Sequence, residues 1–344
     1  MINIFSATTF IRQLLKVALS VNATDIHFFP SSSTTSIFLR IHGMRKFHEK
    51  ISINHYLLII NYLKFSAGMD IGEARKPQDG AITFQIDSSE LNLRISTLPT
   101  KQNESLAIRI LPKSESFKLS ELLLFPYQAK QLKQCMTRKS GVTLLTGATG
   151  SGKSTLLYAL LEELLKEQAY QIITLEDPIE KELFNVHQVQ VNEKSGITYQ
   201  SGLKSALRHD PDILMVGEIR DRETAKFVFH AAYTGHLVLT TLHAKNATGT
   251  IHRLIEMGIK PIDISQNLLA IASLELIPLT IDGRVRGRTA ILELLNDQLI
   301  STYLQTFDQD SINYPSFEYL KRKAVAYGYA NQNILESKPG KAPN

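Results

Sequence analysis

The first third of the chain alternates apolar and polar residues with a period of two. The alternating apolar positions are Ile37, Leu39 and Ile41, then Ile82, Phe84 and Ile86, then Leu91, Leu93 and Ile95, then Leu106, Ile108 and Ile110. This pattern predicts half-buried antiparallel strands. Apolar residues at helical spacing predict helices over residues 9–20 and 55–65. Residues 1–111 are therefore predicted to form a small α+β domain.

The rest of the chain is patterned differently, with short apolar runs separated by helical stretches. The runs cover residues 142–146, 171–175, 213–216 and 237–241. They predict buried strands of a parallel sheet joined by right-handed helical crossovers, an α/β fold. We expect this domain to cover residues 128–344, after a polar linker at 112–127.

A glycine-rich stretch, GATGSGKS, follows the first of these runs and opens a helical pattern. Strand, glycine-rich loop and helix in this order are typical of a P-loop. The predicted phosphate-binding residues are Gly147, Ala148, Thr149, Gly150, Ser151, Gly152, Lys153 and Ser154. Glycines let backbone N–H groups curl around phosphates, lysine reaches the β- and γ-phosphates, and the serine hydroxyl is a ligand for Mg²⁺. The chain is predicted to bind a nucleoside triphosphate.

Polar residues follow the other predicted strands at the same edge of the sheet, where ligands bind in such folds. Glu176 is a candidate to orient or deprotonate an attacking water. Glu218 is a candidate to hold Mg²⁺ through water, and His243 to hydrogen-bond the γ-phosphate. Asp177 has a simpler alternative role as a helix cap before Pro178. Together these residues predict a hydrolytic site.

Composition adds few constraints. The chain has 344 residues, a net charge of +5, and 43% hydrophobic and 21% charged residues, which fits about two globular domains. The single cysteine, Cys135, excludes an internal disulfide. No apolar run reaches about 18 residues, so no membrane span is predicted. The modest positive charge favours an ordinary solvated surface over a nucleic-acid or lipid-binding one.

Two arginines interrupt the alternating strands of the first domain. Arg94 and Arg109 each lie between apolar residues, and the midpoint between them falls in the turn-like segment 99–103. A simple hairpin would place them directly opposite each other, which destabilises a sheet unless an anion lies between them. The spacing leaves two readings open: a clamp for a triphosphate, or two solvated arginines splayed apart.

Several longer motifs carry a resemblance to a known family. LRHDPDILMVGEIRD at 207–221, ITLEDPIE at 173–180, TGHLVLTTLHAKNA at 234–247, ATDIHFFP at 23–30 and KPQDG at 76–80 resemble motifs of the type II secretion and type IV pilus ATPase family. The resemblance covers roughly residues 20 to 295. It implies a RecA-like P-loop domain preceded by a PAS-like domain, and a hexameric motor that hydrolyses ATP with Mg²⁺.

The resemblance also implies roles for single residues. Thr155 would join Lys153 and Ser154 in contacting phosphates and Mg²⁺. Glu176 would be the catalytic carboxylate, Glu218 the Walker-B glutamate, His236 and His243 the histidine-box residues, and Arg94 and Arg109 the arginines that act between domains.

Within the family, the chain is most similar to the ATPases of competence pseudopili, because it lacks a four-cysteine zinc module and carries assembly-type motifs. This implies a motor at the cytoplasmic face of the membrane, a polytopic platform protein as partner, and no direct contact with DNA. The alternatives are another secretion or pilus ATPase, a DNA translocase, and a scaffold that binds ATP without turning it over. Residues after 296 show no readable pattern, and 337–344 are predicted to be disordered.

Overall fold

The computed structural model describes residues 2–41, 44–86, 89–101, 103–111, 117–192 and 195–336. The chain forms two compact units, Met1–Glu115 and Ser116–Asn344. The predicted disordered segment 337–344 and the first residues of the predicted linker, 112–116, lie outside the described residues.

The first unit is a single antiparallel sheet with two helices. Its elements are α1 (Ile2–Ser20), β1 (Ala23–Pro30), β2 (Thr34–Ile41), β3 (Met44–Ser52), α2 (Ile53–Ser66), β4 (Gln78–Ile86), β5 (Ser89–Pro99) and β6 (Glu104–Leu111). The strand order is β3-β2-β1-β6-β5-β4, and all neighbouring strands run antiparallel. The predicted α+β character, the alternating strands and both helices are confirmed, although α1 begins earlier than expected.

One face of this sheet forms the core of the unit. Ile26, Leu93, Ile95 and Ile108 are fully buried in the same cluster as Ile11 of α1, together with residues of α2. The residues between them on each strand project from the opposite face. Alternation therefore separates an apolar face, which packs on helices, from a face that carries polar and charged side chains.

The second unit has a seven-stranded sheet flanked by helices. Its elements are α3 (Leu119–Leu122), α4 (Pro126–Cys135), β7 (Gly141–Thr146), α5 (Lys153–Glu167), β8 (Ile172–Glu176), β9 (His187–Gln190), α6 (Tyr199–Ala206), β10 (Ile213–Val216), α7 (Arg222–Tyr233), β11 (Leu237–Leu242), α8 (Ala247–Glu256), α9 (Pro261–Asn267), β12 (Leu268–Ile281), β13 (Arg284–Asn296), α10 (Asp297–Thr306), α11 (Phe317–Ala326) and α12 (Asn333–Glu336). The order is β13-β12-β7-β11-β10-β8-β9, parallel throughout except for the β12–β13 hairpin.

Apolar clusters cover both faces of this sheet. Leu144 of β7 and Leu214 of β10 belong to one cluster, while their neighbours Leu145 and Met215 belong to the other. A parallel sheet covered on both faces needs apolar side chains at every strand position, which explains the continuous apolar runs in the sequence. The predicted α/β class and the four predicted strands are confirmed.

The structure departs from the sequence-based prediction at the linker and the tail. Leu119 and Leu123 are buried against the second unit, and the Leu124 N–H donates to Ala290 O at 2.9 Å, so the segment from α3 onward is not linker. Up to residue 336, where the described part of the tail ends, it forms three α-helices, and residues such as Ile300 and Leu320 in them are fully buried. Among the described residues, no helix is long and apolar enough to cross a membrane.

Candidate active site

The glycine-rich loop makes a tight cradle between β7 and α5. A Cβ atom on Gly147 would lie 2.5 Å from Leu274 O and 2.7 Å from Ser151 Oγ, so only glycine fits there. Gly152 has a left-handed φ of +92° and immediately precedes α5. These two positions require glycine because atoms of β12 and of Ser151 crowd the first and the backbone turns left-handed at the second.

The start of α5 leaves backbone donors and two side chains facing the cradle. Gly152, at the N-cap, has no side chain that could accept from the first-turn N–H groups. Ser151 Oγ is buried without a hydrogen-bond partner among the described residues. Lys153 Nζ donates to Gly147 O at 3.0 Å and to Ala148 O at 2.9 Å. A helix N-terminus with unpaired donors and an adjacent lysine is an anion-binding site.

Glu180, which was not predicted to be a site residue, also lies at this loop. Its carboxylate lies close enough to the Ser154 hydroxyl and the Lys153 ammonium for both to act on its pKa. The pKa of the Glu180 carboxyl is raised, chiefly because the surrounding protein removes it partly from water. The nearby Glu176 and Glu218 carboxylates raise this pKa further, while interactions with Ser154 and Lys153 lower it. The pKa of Lys153 is lowered, chiefly by burial. A carboxylate beside the P-loop serine with a raised pKa is suited to accept a proton.

Glu176 is placed differently from what a water-activating base requires. It is only 3% exposed. Its Oε1 accepts from Thr174 Oγ1 at 2.6 Å and from Gln188 Nε2 at 3.0 Å, and its Oε2 accepts from the Tyr158 hydroxyl. The same Tyr158 hydroxyl accepts from the Glu180 N–H at 3.1 Å. Glu176 thus anchors the segment that carries Glu180.

Glu218 and His243 are brought together as the sequence analysis expected. Both follow parallel strands, and His243 Nε2 lies 3.3 Å from Glu218 Oε2. Arg220 joins them: its Nε donates to Glu218 Oε1, and its Nη1 donates to Asp177 Oδ2 at 2.7 Å. Asp177, which follows β8, therefore forms an ion pair with an arginine that follows β10, the neighbouring strand in the sheet.

The two histidines of the histidine box lie at opposite ends of β11. His243 follows the strand at the edge that carries the P-loop. His236 precedes it, and its Nδ1 lies 3.1 Å from both Ala231 O and Thr234 Oγ1. Six strand residues separate the two by roughly 20 Å. His236 therefore contacts the turn after α7, away from the loop.

The arginine pair has the register that the sequence predicted. Arg94 of β5 pairs directly with Arg109 of β6, and both side chains are exposed on the face opposite the helices. Arg109 Nε also donates to Asp25 Oδ1 of β1 at 2.8 Å. Burial acts to raise the pKa of Asp25, but hydrogen bonds from Arg109 and Thr24 and the charge of Arg109 outweigh it and hold the pKa below its usual range. One of the two opposed charges is thus already neutralised within the sheet.

The residues around the cradle fit a magnesium–nucleotide complex. Ser154 supplies a hydroxyl. Glu180 and Glu218 supply carboxylates, and both are near enough to Lys153 for their negative charges to act on its pKa. Within the described residues there is no cluster of three or more histidine, cysteine or acidic side chains able to hold a metal alone. Mg²⁺ suits such a site, because it keeps several waters and binds through one or two protein oxygens plus substrate phosphates.

Together, a parallel sheet, a P-loop at its carboxyl edge and acidic residues beside the loop define a P-loop ATPase. The family model for "Type II/IV secretion system protein" matches residues 5–314. The chain belongs to this family, and it is a secretion- or pilus-type ATPase that binds ATP.

Proteins of similar sequence agree with this placement. A competence protein ComGA from Halalkalibacterium halodurans is 42% identical over 95% of this chain and 97% of its own length. The ComGA of Bacillus subtilis is 39% identical over 94% of this chain and 95% of its own length. The type IV pilus assembly ATPase PilB of Thermus thermophilus is 37% identical, over 79% of this chain and 31% of its own length.

Solved structures confirm the architecture. The pilus retraction motor PilT, determined with bound ADP, aligns with a TM-score of 0.75 and 29% identity over 96% of this chain and 97% of that one. The Legionella pneumophila ATPase DotB, at 23% identity and a TM-score of 0.72 over 95% of this chain and 94% of that one, shows the same fold. A RecA-like ATPase domain preceded by an N-terminal domain is therefore established.

Proposed function

We propose that this chain is the hexameric ATP-hydrolysing motor that drives assembly of a competence pseudopilus used in DNA uptake. The observation that carries the proposal is the extent of the match to the ComGA proteins. In sequence, that match includes 94–95% of this chain, whereas the matches to the pilus assembly ATPase PilB and to a type II secretion system protein E include 79% and 78% of it. The motor would act at the cytoplasmic face of the membrane on a polytopic platform protein, without contacting DNA itself.

The chemistry proposed for the site starts from the P-loop. The backbone donors at the start of α5, with Lys153 and the hydroxyls of Ser154 and Thr155, would hold the phosphates. Mg²⁺ bound at Ser154 and Glu218 would neutralise phosphate charge and help align the γ-phosphate. His243, held against Glu218, would hydrogen-bond the γ-phosphate.

We assign the proton-accepting role to Glu180 and a positioning role to Glu176. Supporting this assignment, Glu180 lies beside the P-loop residues Ser154 and Lys153 and has a raised pKa, whereas both oxygens of Glu176 already accept from neighbouring side chains. Glu180 would take the proton from the attacking water, and the Tyr158 hydroxyl would hold its backbone in place.

Arg94 and Arg109 are proposed to contact the triphosphate from the first unit. Two guanidinium groups on adjacent strands offer many N–H donors in a planar arrangement suited to phosphate oxygens. Hydrolysis would release this contact, and the coupled change between the units would supply the stroke of the motor.

Complementation tests the proposal as a whole. A host strain lacking this gene should regain transformation by external DNA, and display of the major pseudopilin, when supplied with the wild-type protein. The Lys153→Ala protein should restore neither, while still being present at the normal level. Wild-type transformation in the deletion strain, or full rescue by Lys153→Ala, would refute the role. Mass measurement in solution with a non-hydrolysable ATP analogue should show a hexamer; an active monomer at all concentrations would refute the ring.

A further inference from the structure

A row of charged residues crosses the open face of the first unit's sheet. Arg40 of β2 pairs with Asp25 of β1, Asp25 pairs with Arg109 of β6, and Arg109 pairs with Arg94 of β5. The row therefore reads plus, minus, plus, plus across four adjacent strands. Its one carboxylate lies next to one member of the proposed phosphate-binding pair and two strands from the other.

Asp25 differs from an ordinary surface acid in its burial and its contacts. Its side chain is only 10% exposed, whereas that of Arg109 is 65% exposed. Oδ1 accepts from Arg109 Nε at 2.8 Å, and Oδ2 accepts from Thr24 Oγ1 at 2.8 Å and lies 3.8 Å from Arg40 Nε. The carboxylate thus interacts with three side chains, and it accepts from Arg109 at Nε, the nitrogen that joins the guanidinium to the rest of the side chain.

The atom through which Arg109 is held matters. A guanidinium has five N–H donors, one on Nε and four on the two terminal nitrogens. Because Asp25 takes the Nε donor of this largely exposed side chain, the four terminal N–H donors stay available for another acceptor. An exposed arginine on its own loses much rotamer freedom when it binds, and an arginine held in advance loses less.

We infer that Asp25 is a positioning residue that holds Arg109 by Nε and presents its terminal nitrogens to the triphosphate. The inference rests on the proposed role of Arg109, and it makes the two arginines unequal. Arg109 is oriented before nucleotide arrives, whereas Arg94 has Arg109 on one side and Ala81 on the other. The competing explanation is that Asp25 only offsets repulsion among the arginines and so stabilises the sheet.

A double-mutant cycle on the full-length protein separates these explanations. The variants are Asp25→Asn, Arg109→Gln and the double variant. Arg109→Gln is preferred to alanine because its amide N–H can still donate to Asp25 and protect the fold. Arg40→Gln is the matched control, since it removes the other arginine beside Asp25. Steady-state kcat and KM for ATP are measured, together with the melting temperature and binding of a fluorescent ATP analogue.

If Asp25 acts through Arg109, Asp25→Asn lowers kcat by ~10-fold, as expected for losing one charge-assisted hydrogen bond. KM changes by less than about twofold, and adding Asp25→Asn to Arg109→Gln changes kcat by less than about twofold. Arg40→Gln keeps wild-type kcat.

Three results would overturn the inference. Wild-type kcat in Asp25→Asn while Arg109→Gln is slow would remove Asp25 from the mechanism and leave the role of Arg109 intact. An equal loss of kcat in both backgrounds, with a lower melting temperature, would make Asp25 a stabiliser of the sheet only. Wild-type kcat in Arg109→Gln would refute the role proposed for Arg109, and the inference with it.

Discussion

The two sheets of this chain present their charged residues in different ways. The antiparallel sheet of the first unit has one open face, and its charges form a row across adjacent strands, Arg40, Asp25, Arg109 and Arg94. The parallel sheet of the second unit is covered on both faces, so its charges lie beyond the strand ends. Strand register therefore sets the distances between groups in the first unit, and loops set them in the second.

This difference has consequences for mutations. In the first unit, each charged side chain has cross-strand neighbours, so replacing one changes the partner of another. In the second unit, Glu176 at the end of β8 and Glu180 in the loop that follows it are four residues apart, but their carboxylates have different neighbours. One carboxylate is enclosed by three donors, and the other meets Ser154. Substitutions at these positions test whether the two units differ in this way.

The largest effect is expected at the arginine pair. Arg94→Ala and Arg109→Ala should each lower ATP turnover by about 10³-fold, since arginine contacts to a transferring phosphoryl group contribute about 10³–10⁵ in rate. Phosphate release by the assembled protein measures this, with native mass measurement to show that the ring persists. Turnover near wild type in both variants would confine the pair to a structural role.

A loss of comparable size is expected at Glu180. Glu180→Gln should retain ATP binding but lower kcat by about 10²–10⁴-fold, the usual contribution of a general base. Glu182→Gln, two residues on and exposed, is the matched control and should keep normal turnover. If Glu180→Gln turns over normally, the proton acceptor is another group.

Glu176→Gln should act mainly on stability. The new NH₂ group must face either Gln188 Nε2, another donor, or the Tyr158 hydroxyl, which already accepts from the Glu180 N–H. An unsatisfied buried donor costs about 1–3 kcal/mol. Calorimetry should show a lower melting temperature, with kcat of the folded protein reduced less than about tenfold. A stable Glu176→Gln protein without turnover would return the catalytic role to Glu176.

The pH dependence of turnover tests the same assignment with a milder perturbation. Partial removal from water and the nearby carboxylates raise the pKa of Glu180 above its usual 4.5. A general base must be deprotonated to accept a proton. As pH falls through this raised pKa, kcat/KM should therefore decline, and the decline should disappear in Glu180→Gln. An unchanged acidic limb in Glu180→Gln would assign the titration to a different group.

How much of the site the sequence predicts also differs between the two units. Period-two alternation and a turn midway between Arg94 and Arg109 are enough to set their register, because an antiparallel hairpin has few alternatives. The ion pair between Arg109 and Asp25 could not be predicted from the sequence, because β1 and β6 are neighbours in the sheet although more than 80 residues of chain separate them. Alternation within one hairpin carries no information about the strand that comes to lie beside it.

In the second unit, the convergence of the P-loop, Glu218 and His243 was predictable from strand ends at one edge of a parallel sheet. The choice between Glu176 and Glu180 was not. It depends on Tyr158 of α5 and Gln188 of β9, which reach Glu176 from other elements and saturate its oxygens. The ITLEDPIE motif contained both glutamates, and only tertiary packing distinguishes them.

The smallest expected effect is a difference in stability between the two arginine variants. Arg109→Ala deprives the nearly buried Asp25 of its closest charged partner and should cost about 1 kcal/mol, a low value because Arg109 is largely exposed. Arg94→Ala removes one of two opposed like charges and should leave the melting temperature unchanged or slightly raised. Because the folded pKa of Asp25 is below its usual 3.8, the penalty in Arg109→Ala should be constant from pH 7 to about 5. It should then shrink as the pH falls from near that usual value down through the lowered pKa. Equal melting temperatures for the two variants at pH 7 would mean that Asp25 does not depend on Arg109.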